Sequence, residues 1–197
     1  MLDTLFPNTP TATYSIGKNE TIPESFEKLT TISLEQTHSA NFEEVTKAKS
    51  KELKDCDAAL TSLPNLHLKV KHADCLPILL YHPKPIIGVI HAGRKGSESG
   101  ILAAVLTYLK EIHKIKDGIQ LWFGPAICDR CYQINEAENL HYNLLRANLN
   151  QVKAVFPNGE VQIAFANGCT VHQNKKYYSY RAEGPGVQMN WSGICLK

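Results

Sequence analysis

Two apolar runs near the middle of the chain restrict the fold more than any other feature. Residues 76–81 and 86–90 are almost continuously apolar, and Pro83 and Pro85 lie in the short segment between them. Strands with one exposed face alternate in polarity, whereas continuous apolar runs of this length are typical of strands buried on both faces. We therefore predict two interior strands, with Cys75 and His91 at their ends.

The neighbouring segments predict further strands and helices. Residues 67–71 alternate with period two, which indicates a half-buried strand. Apolar residues recur at helical spacing from Ser97, a suitable N-cap, to about residue 114, and residues 119–123 form a strand. The order strand, helix, strand over residues 86–123 predicts a parallel pair. A second helical stripe covers residues 138–155, and we expect residues 161–165 and 187–196 to be extended.

Length and composition predict one domain. The chain has 197 residues, of which 43% are hydrophobic, and this is enough to build one core. We predict a mixed α/β (α+β) fold that forms a single domain over residues 1–197. Residues 1–30 are expected to be irregular and peripheral, because three prolines interrupt them.

Charge and hydropathy argue against nucleic-acid and membrane partners. The formal net charge is only +2 at pH 7. The lysines at 47, 49, 51 and 54 lie beside Glu43, Glu44 and Glu52, which favours a solvated helix face over a nucleic-acid patch. No apolar stretch is long enough to span a membrane, and residues 1–3 lack the basic start of a signal peptide. We therefore expect a cytoplasmic protein whose six cysteines are reduced.

His38, Cys75 and His91 are the strongest candidates for metal ligands. Two imidazoles and one thiolate suit zinc with one coordination position open, an arrangement typical of catalytic sites. The three residues are far apart in sequence, so a shared site depends on the fold. Histidine and cysteine are also common in protein cores, and a purely structural role for each residue stays open.

A series of motifs in fixed order runs from about residue 30 to about residue 181. They are Gln36-Thr37-His38, residues 57–62, Lys71-His72-Ala73-Asp74-Cys75-Leu76-Pro77-Ile78, Gly88-Val89-Ile90-His91-Ala92-Gly93-Arg94-Lys95-Gly96, Phe123-Gly124-Pro125-Ala126-Ile127 followed by Cys131-Tyr132, and Cys169-Thr170 with Tyr178-Ser179-Tyr180-Arg181. In order and spacing these motifs resemble the laccase-domain family, which takes its name from multicopper polyphenol oxidases.

The resemblance implies a fold, a metal site and a chemistry. The fold would have layered helices around mixed sheets, and a zinc ion would bind His38, Cys75 and His91. The chemistry would be phosphorolysis of adenosine, inosine or methylthioadenosine to free base and ribose 1-phosphate, together with adenosine deamination. We expect phosphate and substrate contacts from Gln36, Arg94, Lys95 and Arg181.

Two features bear on how such chemistry would run. Asp74, beside Cys75, is our candidate proton shuttle for deamination, although a carboxylate that merely ends a strand explains it as well. The segment 93–97 between a strand and a helix would offer free N–H groups and the charges of Arg94 and Lys95 to a phosphate. Turn-forming glycines explain this segment equally well.

A second cysteine motif, Cys128-x-x-Cys131, has two functional interpretations. Its spacing fits a thioredoxin-like dithiol, but no clear helix starts at Cys128. As half of a zinc ribbon it lacks a second cysteine pair, because Cys169 and Cys195 stand alone in the sequence. We expect Cys131 to serve packing and assign no ligand role to His172 or to the other remaining histidines.

Two other functions stay open. Copper-dependent polyphenol oxidation has weak support, because the eight histidines include no His-x-His pair and the only methionines are Met1 and Met189. A catalytically decayed metal- or ligand-binding protein is the second alternative. The chain departs from the family pattern at Arg94 and Lys95, where the family usually has Trp-Arg, and at Gln133, where it has Glu.

Overall fold

The computed structural model describes residues 5–197; residues 1–3, on which the signal-peptide prediction rests, lie outside this range. The strands are β1 Thr11–Ile16, β2 Thr30–Leu34, β3 Phe42–Glu44, β4 Lys51–Leu53, β5 Ala58–Thr61, β6 Leu66–His72, β7 Leu76–His82, β8 Ile86–Ala92, β9 Ile119–Phe123, β10 Gln133–Asn135, β11 Leu140–His141, β12 Val161–Phe165 and β13 Asn190–Leu196. The helices are α1 Glu24–Glu27, α2 Arg94–Glu98, α3 Ile101–Glu111, α4 Leu144–Val155 and α5 Tyr180–Glu183.

Two mixed sheets and a layer of helices are stacked on each other. One sheet has the order β1-β13-β6-β2-β4 and the other the order β12-β9-β7-β8-β5-β3. Alternate residues of the central strands face opposite layers, since Leu79 and Val89 share an apolar cluster with the five-stranded sheet, whereas Ile78 and Ile90 share one with α3 and α4. This explains why β7 and β8 are buried along their whole length, and it confirms the mixed α/β fold class.

The strand order differs from the prediction at one place. β8 and β9 run in the same direction but are not neighbours, because β7 lies between them and pairs antiparallel with both. The predicted parallel pair is therefore wrong. The physical reason is that β7 and β5 already occupy both edges of β8, so β9 adds to the free edge of β7 and pairs in parallel with β12 instead.

Both predicted helices begin or end elsewhere. Gly100, with a φ of 82°, breaks the helix predicted from Ser97 into α2 and α3, because glycine adopts this left-handed conformation at little cost. The stripe over residues 138–155 becomes helical only at α4. Asn143 caps this helix, and its Oδ1 accepts a hydrogen bond from the Arg146 N–H at 2.8 Å.

Residues 11–16, expected to be irregular, form the edge strand β1. They pair antiparallel with β13 over their whole length. Three of the first four residues are threonine or tyrosine, which fit a half-buried sheet surface, and the nearby prolines only precede and follow the strand.

The lysine-rich segment is not the predicted helix face. Residues 51–53 form β4, whose polar residues are exposed while Leu53 is buried. Lys51 pairs with Glu43 at 2.5 Å and Lys54 with Glu52 at 2.7 Å, so glutamates neutralise part of the basic charge.

Within residues 5–197, no helix combines the length and the apolarity that crossing a bilayer requires.

A buried histidine on β6 forms hydrogen bonds with two hydroxyl groups of the five-stranded sheet. His67 Nε2 lies 2.9 Å from the Tyr14 hydroxyl and Nδ1 lies 3.2 Å from the Thr31 hydroxyl. Burial, together with the nearby charge of Lys69, lowers the pKa of His67 to about 4. The imidazole is therefore neutral in the folded protein at neutral pH.

We predict that acid destabilises the fold partly through His67. An unfolded histidine titrates near pH 6.5, so below this pH the unfolded chain binds a proton that the folded chain excludes. The contribution is complete above about pH 7, and it falls by up to about 1.4 kcal/mol per pH unit as the pH drops toward 4. Denaturant titrations of His67→Gln should show a shallower fall over this range. A slope equal to that of the wild type would contradict the prediction.

Candidate metal centre

The three predicted metal ligands lie together at one end of the two sheets. Cys75 directly precedes β7, and His91 lies near the end of β8, where it is paired with Pro77. His38 lies in the loop after β2, which belongs to the other sheet. The ligand atoms of the three residues lie within 4.8 Å of one another, and Cys75 Sγ is 3.7 Å from His38 Nε2. They form a group that could hold a metal ion.

Asp57, which sequence reasoning left without a role, organises this group. Its side chain is fully buried directly before β5. The carboxylate accepts backbone N–H bonds from Thr37, His38 and Ser39 at 2.8–3.1 Å, and a further bond from the Ser39 hydroxyl at 2.9 Å. Three successive N–H groups of the His38 loop therefore converge on one carboxylate. A single aspartate before an apolar run gives no such signal in the sequence.

The same carboxylate fixes the orientation of His91. Asp57 Oδ1 lies 2.7 Å from His91 Nδ1, and an ionised carboxylate can only accept. Nδ1 therefore carries the proton, and Nε2 is left as the ligand atom, an arrangement common at metal-binding histidines. Burial raises the pKa of Asp57, but hydrogen bonds from His91 and Ser39 outweigh it and hold the pKa below its ordinary value.

The thiol of Cys75 is prepared for deprotonation. Burial raises its pKa, but hydrogen bonds with His38 and His91 and the charges of these residues outweigh burial and lower the pKa to about 6. Burial lowers the pKa of His91, but hydrogen bonds and charges of Asp57 and Cys75 outweigh it and raise the pKa to about 9, so a bound metal would displace a proton from this imidazole. A thiolate and two imidazoles match the donor set that zinc prefers.

Gly93 gives the ligands the space that they occupy. A Cβ placed on Gly93 would lie 2.7 Å from His38 Cδ2 and 3.0 Å from Cys75 Sγ. Real Cβ atoms do not approach other atoms so closely, so any larger residue would push two ligands away. The close approach of the backbone, rather than a turn, explains this glycine.

Backbone strain is concentrated at the same place. Gln36, His38 and Asp74 have φ angles of 52°, 63° and 92°, in the region that favours glycine. Such conformations persist only where the surroundings enforce them, as the Asp57 hydrogen bonds do for His38.

The ligands open into a cavity of about 530 Å³. This volume lies within the usual range for small-molecule sites. Both apolar or aromatic and polar side chains line the cavity, and the Arg181 guanidinium lies 5.7 Å from the centre of the Tyr132 ring. Besides the three ligands, the lining includes Gln36, Lys71, Asp74, Ile127, Tyr132, Tyr180, Arg181 and Met189.

Asp74 lies in this cavity wall, but its carboxylate is already engaged. Oδ1 accepts a hydrogen bond from the Thr170 hydroxyl at 2.6 Å, and Oδ2 accepts one from the Arg181 N–H at 2.7 Å. Its own carbonyl accepts from the Ile127 N–H at 2.9 Å. Asp74 thus ties three segments together beside the ligand Cys75.

The predicted substrate-binding residues divide into two groups. Gln36 and Arg181 line the cavity, whereas Lys95 is exposed outside it and Arg94 pairs with Glu98 at 3.2 Å. The Gln36 amide exchanges two hydrogen bonds with the Lys71 backbone, at 2.7 and 2.9 Å. Segment 93–97 is not a free turn, because α2 starts at Arg94 with Gly93 as its N-cap, and α2 spans only five residues.

A second group of ligand-type residues lies in two neighbouring loops. Cys128, Cys131, Cys169 and His172 place their ligand atoms within 4.8 Å of one another. The prediction that Cys169 stands alone is therefore wrong. The missed signal is the Cys-x-x-His spacing of Cys169 and His172, which matches the spacing of Cys128 and Cys131.

Comparison with known proteins gives consistent matches. Residues 17–153 match the model of a protein family described as multi-copper polyphenol oxidoreductase laccase. A purine nucleoside phosphorylase of Aquifex aeolicus is 38% identical over 150 residues, which cover 71% of each chain. One of Campylobacter jejuni is 38% identical over 82 residues, but this match spans 41% of the present chain and only 36% of the relative.

A solved structure shows the same fold. The crystal structure of a hypothetical protein, YfiH, from Bacillus licheniformis superimposes with a TM-score of 0.77 over 85% of this chain and 74% of its own. The two sequences are 24% identical, so the likeness concerns the fold.

We predict that Asp57→Asn weakens metal binding by about 10- to 100-fold, the usual effect of losing a carboxylate behind a ligand histidine. The amide can donate toward Nδ1, which favours the wrong tautomer of His91. Competition with a chelator measures the change. Asp55→Asn is the matched control, because this exposed carboxylate contacts Thr37 and Asn41 but not His91. Equal affinities in the two variants would contradict the proposed role of Asp57.

Gly93→Ala should also weaken metal binding, for a steric reason. The added methyl group would displace His38 or Cys75, while the remote core is untouched. Metal content after dialysis, compared with circular dichroism of the same sample, separates loss of the site from unfolding. Full metal occupancy in a folded variant would show that the ligands can shift without cost.

Proposed function

Since the chain belongs to the multi-copper polyphenol oxidoreductase laccase family and its relatives include proteins named purine nucleoside phosphorylase, we propose that it is a metal-dependent purine nucleoside phosphorylase. Adenosine or inosine would be split by phosphate into free base and ribose 1-phosphate. The observation that carries the proposal is a group of three ligands that opens into a cavity of about 530 Å³ with cationic and aromatic walls.

Zinc is the metal that we propose for the site. Its donors would be His38 Nε2, Cys75 Sγ and His91 Nε2, a set with one position left open. When bound, zinc supplies a positive charge that polarises a substrate oxygen or nitrogen. The chain contributes the rest, since Asp57 holds two of the ligands in place and burial excludes water from His91.

Phosphate would bind at the cationic groups that line the cavity. Lys71 and Arg181 both line it, and the Arg181 guanidinium is held by the carbonyls of Cys131 and Gln133 at 3.0 and 2.7 Å. A fixed guanidinium with further N–H groups suits bidentate contact with phosphate. Gln36, whose amide is occupied by the Lys71 backbone, would position Lys71 rather than contact the phosphate directly.

The aromatic residues that line the cavity suit a purine. Tyr132 and Tyr180 line it together with Ile127, and aromatic rings of this kind stack on flat heterocycles. Burial raises the pKa of the Tyr132 phenol, so its hydroxyl stays protonated at neutral pH and can donate a hydrogen bond. Ring and hydroxyl together would orient the leaving base.

Adenosine deamination is a weaker part of the proposal. It needs a proton shuttle near the metal, and Asp74 is the cavity carboxylate beside the ligand Cys75. Each of its oxygens already accepts a short hydrogen bond, so a shuttle would have to use the remaining lone pairs. We therefore expect phosphorolysis to exceed deamination.

Copper chemistry is the second candidate, and one observation favours it. Two histidines and a cysteine with a methionine nearby are the donor set of mononuclear blue-copper sites, and Met189 lines the same cavity. Neither ligand group found within residues 5–197 contains more than two histidines, so a trinuclear copper cluster lacks ligands in that range. Metal analysis of protein expressed without added copper distinguishes zinc from copper.

The first test is product analysis of metal-quantified protein incubated with adenosine or inosine, with and without phosphate. Free base that forms only with phosphate establishes phosphorolysis, and inosine formed from adenosine establishes deamination. His38→Ala should reduce either activity to background, and its exposed side chain makes unfolding a poor explanation. His113→Ala is the control, because this histidine bonds Glu44 outside the cavity. If the metal site is full and neither adenosine nor inosine is converted, the result would favour a binding protein that has lost catalytic activity.

Arg181→Ala should raise the KM for phosphate by about tenfold or more, because a charged hydrogen-bond donor is removed. The backbone N–H that holds Asp74 remains. Lys95→Ala, which removes an exposed charge outside the cavity, should change the KM little. Similar effects of both substitutions would indicate a general charge effect instead of a phosphate contact.

A further inference from the structure

A second group of potential ligands lies outside the cavity. Cys128 precedes and Cys131 ends a short 3-10 turn after β9, and Cys169 and His172 lie in the loop after β12. Because β9 and β12 are parallel neighbours, both loops leave the sheet at the same edge. Ala126 and Cys169 continue the pairing as a parallel bridge, which holds the two loops side by side.

The four ligand atoms converge on one point. His172 Nε2 is 3.3 Å from Cys131 Sγ, and Nδ1 is 3.9 Å from Cys128 Sγ. All four atoms lie within 4.8 Å of one another. In a tetrahedral zinc site with Zn–S bonds of about 2.3 Å, neighbouring sulfurs are about 3.8 Å apart, so a small adjustment closes the site.

Local hydrogen bonds hold the two loops in the geometry that brings the ligands together. The Cys128 N–H donates to Cys169 Sγ at 3.3 Å, which links one loop directly to the other. The N–H groups of Cys131 and Tyr132 donate to the Cys128 carbonyl at 3.1 and 3.0 Å, and the Gln173 N–H donates to the Cys169 carbonyl at 2.8 Å. Each Cys-x-x-ligand segment is thus a tight turn that directs its first and fourth residues to one side.

We propose that Cys128, Cys131, Cys169 and His172 bind a second zinc ion with a structural role. Three thiolates and one imidazole form a closed four-ligand set, which is typical of structural zinc, whereas the cavity group has three ligands. A redox-active Cys128–Cys131 pair would use two of the four groups and leave Cys169 and His172 unexplained. Softness favours zinc over magnesium or calcium at such a site.

The second ion would also stabilise the cavity wall. Thr170, between the ligands Cys169 and His172, donates to Asp74, and the carbonyl of the ligand Cys131 accepts from Arg181 at 3.0 Å. Crosslinking the two loops would therefore fix groups on the neighbouring site. This consequence depends on the proposed function, whereas the metal site itself does not.

Counting metal ions in the full chain tests the proposal. Zinc-supplemented protein purified under reducing conditions should carry two zinc ions by native mass spectrometry, and His38→Ala should carry one. Cys128→Ser should also carry one, the double variant none, and the control Cys195→Ser, whose buried sulfur lies in β13, two. Loss of the cavity ion alone would refute the proposed function without affecting the second site.

Cobalt binding keeps the test decisive if Cys128→Ser unfolds. His38→Ala titrated with Co²⁺ should show strong thiolate-to-metal absorption, because three sulfurs bind the remaining ion. His172→Ala in that background, a change to an exposed side chain, should alter the cobalt bands and weaken binding at least tenfold. Retention of both zinc ions by folded Cys128→Ser would overturn the proposal. A disulfide between Cys128 and Cys131 that persists in zinc-supplemented protein purified under reducing conditions would overturn it as well.

Discussion

One buried carboxylate holds the metal centre together. A buried charge is costly unless it is fully hydrogen-bonded, and Asp57 meets this condition through the backbone of residues 37–39, the Ser39 hydroxyl and His91. Those donors come from a loop of one sheet and a strand of the other. The hydrogen bonds that this single carboxylate accepts therefore couple the two sheets, hold His38 in a strained conformation and select the tautomer of His91.

Strand order explains why both ligand groups lie at the same end of the strands of the six-stranded sheet. β7 runs antiparallel to β8 and β9, so the start of β7 meets the ends of its two neighbours. Cys75 therefore meets His91 on one side and the loop with Cys128 on the other. β12 runs parallel to β9, and its end adds Cys169 and His172. The apolar runs that predict β7 as an interior strand thus also determine where the two ligand groups lie.

The sequence was sufficient where a local pattern carries the information. Continuous apolar runs predicted β7 and β8, alternation predicted β6, and the ordered motifs placed His38, Cys75 and His91 in one site. It was insufficient where the information is non-local. Asp57 has no distinguishing neighbours in sequence, and the Cys-x-x-His spacing of Cys169 and His172 gains meaning only when strand pairing brings it beside Cys128 and Cys131. The helix predicted for the lysine-rich segment was wrong because lysines close to glutamates occur on exposed short strands as well as on solvated helix faces.

The departures from the family pattern lie outside the lining of the cavity and leave its supports intact. Gln133 holds Arg181 through a backbone carbonyl, and its side chain donates to Asn139 instead, so losing a carboxylate there does not release the guanidinium. Arg94 pairs with Glu98, and its charge opposes the effect of burial on the pKa of Tyr132. These changes alter the surroundings of Tyr132, whereas the metal ligands, Asp57 and the Arg181 anchor depend on none of them. Substrate choice can therefore differ from that of relatives without any change in the metal centre.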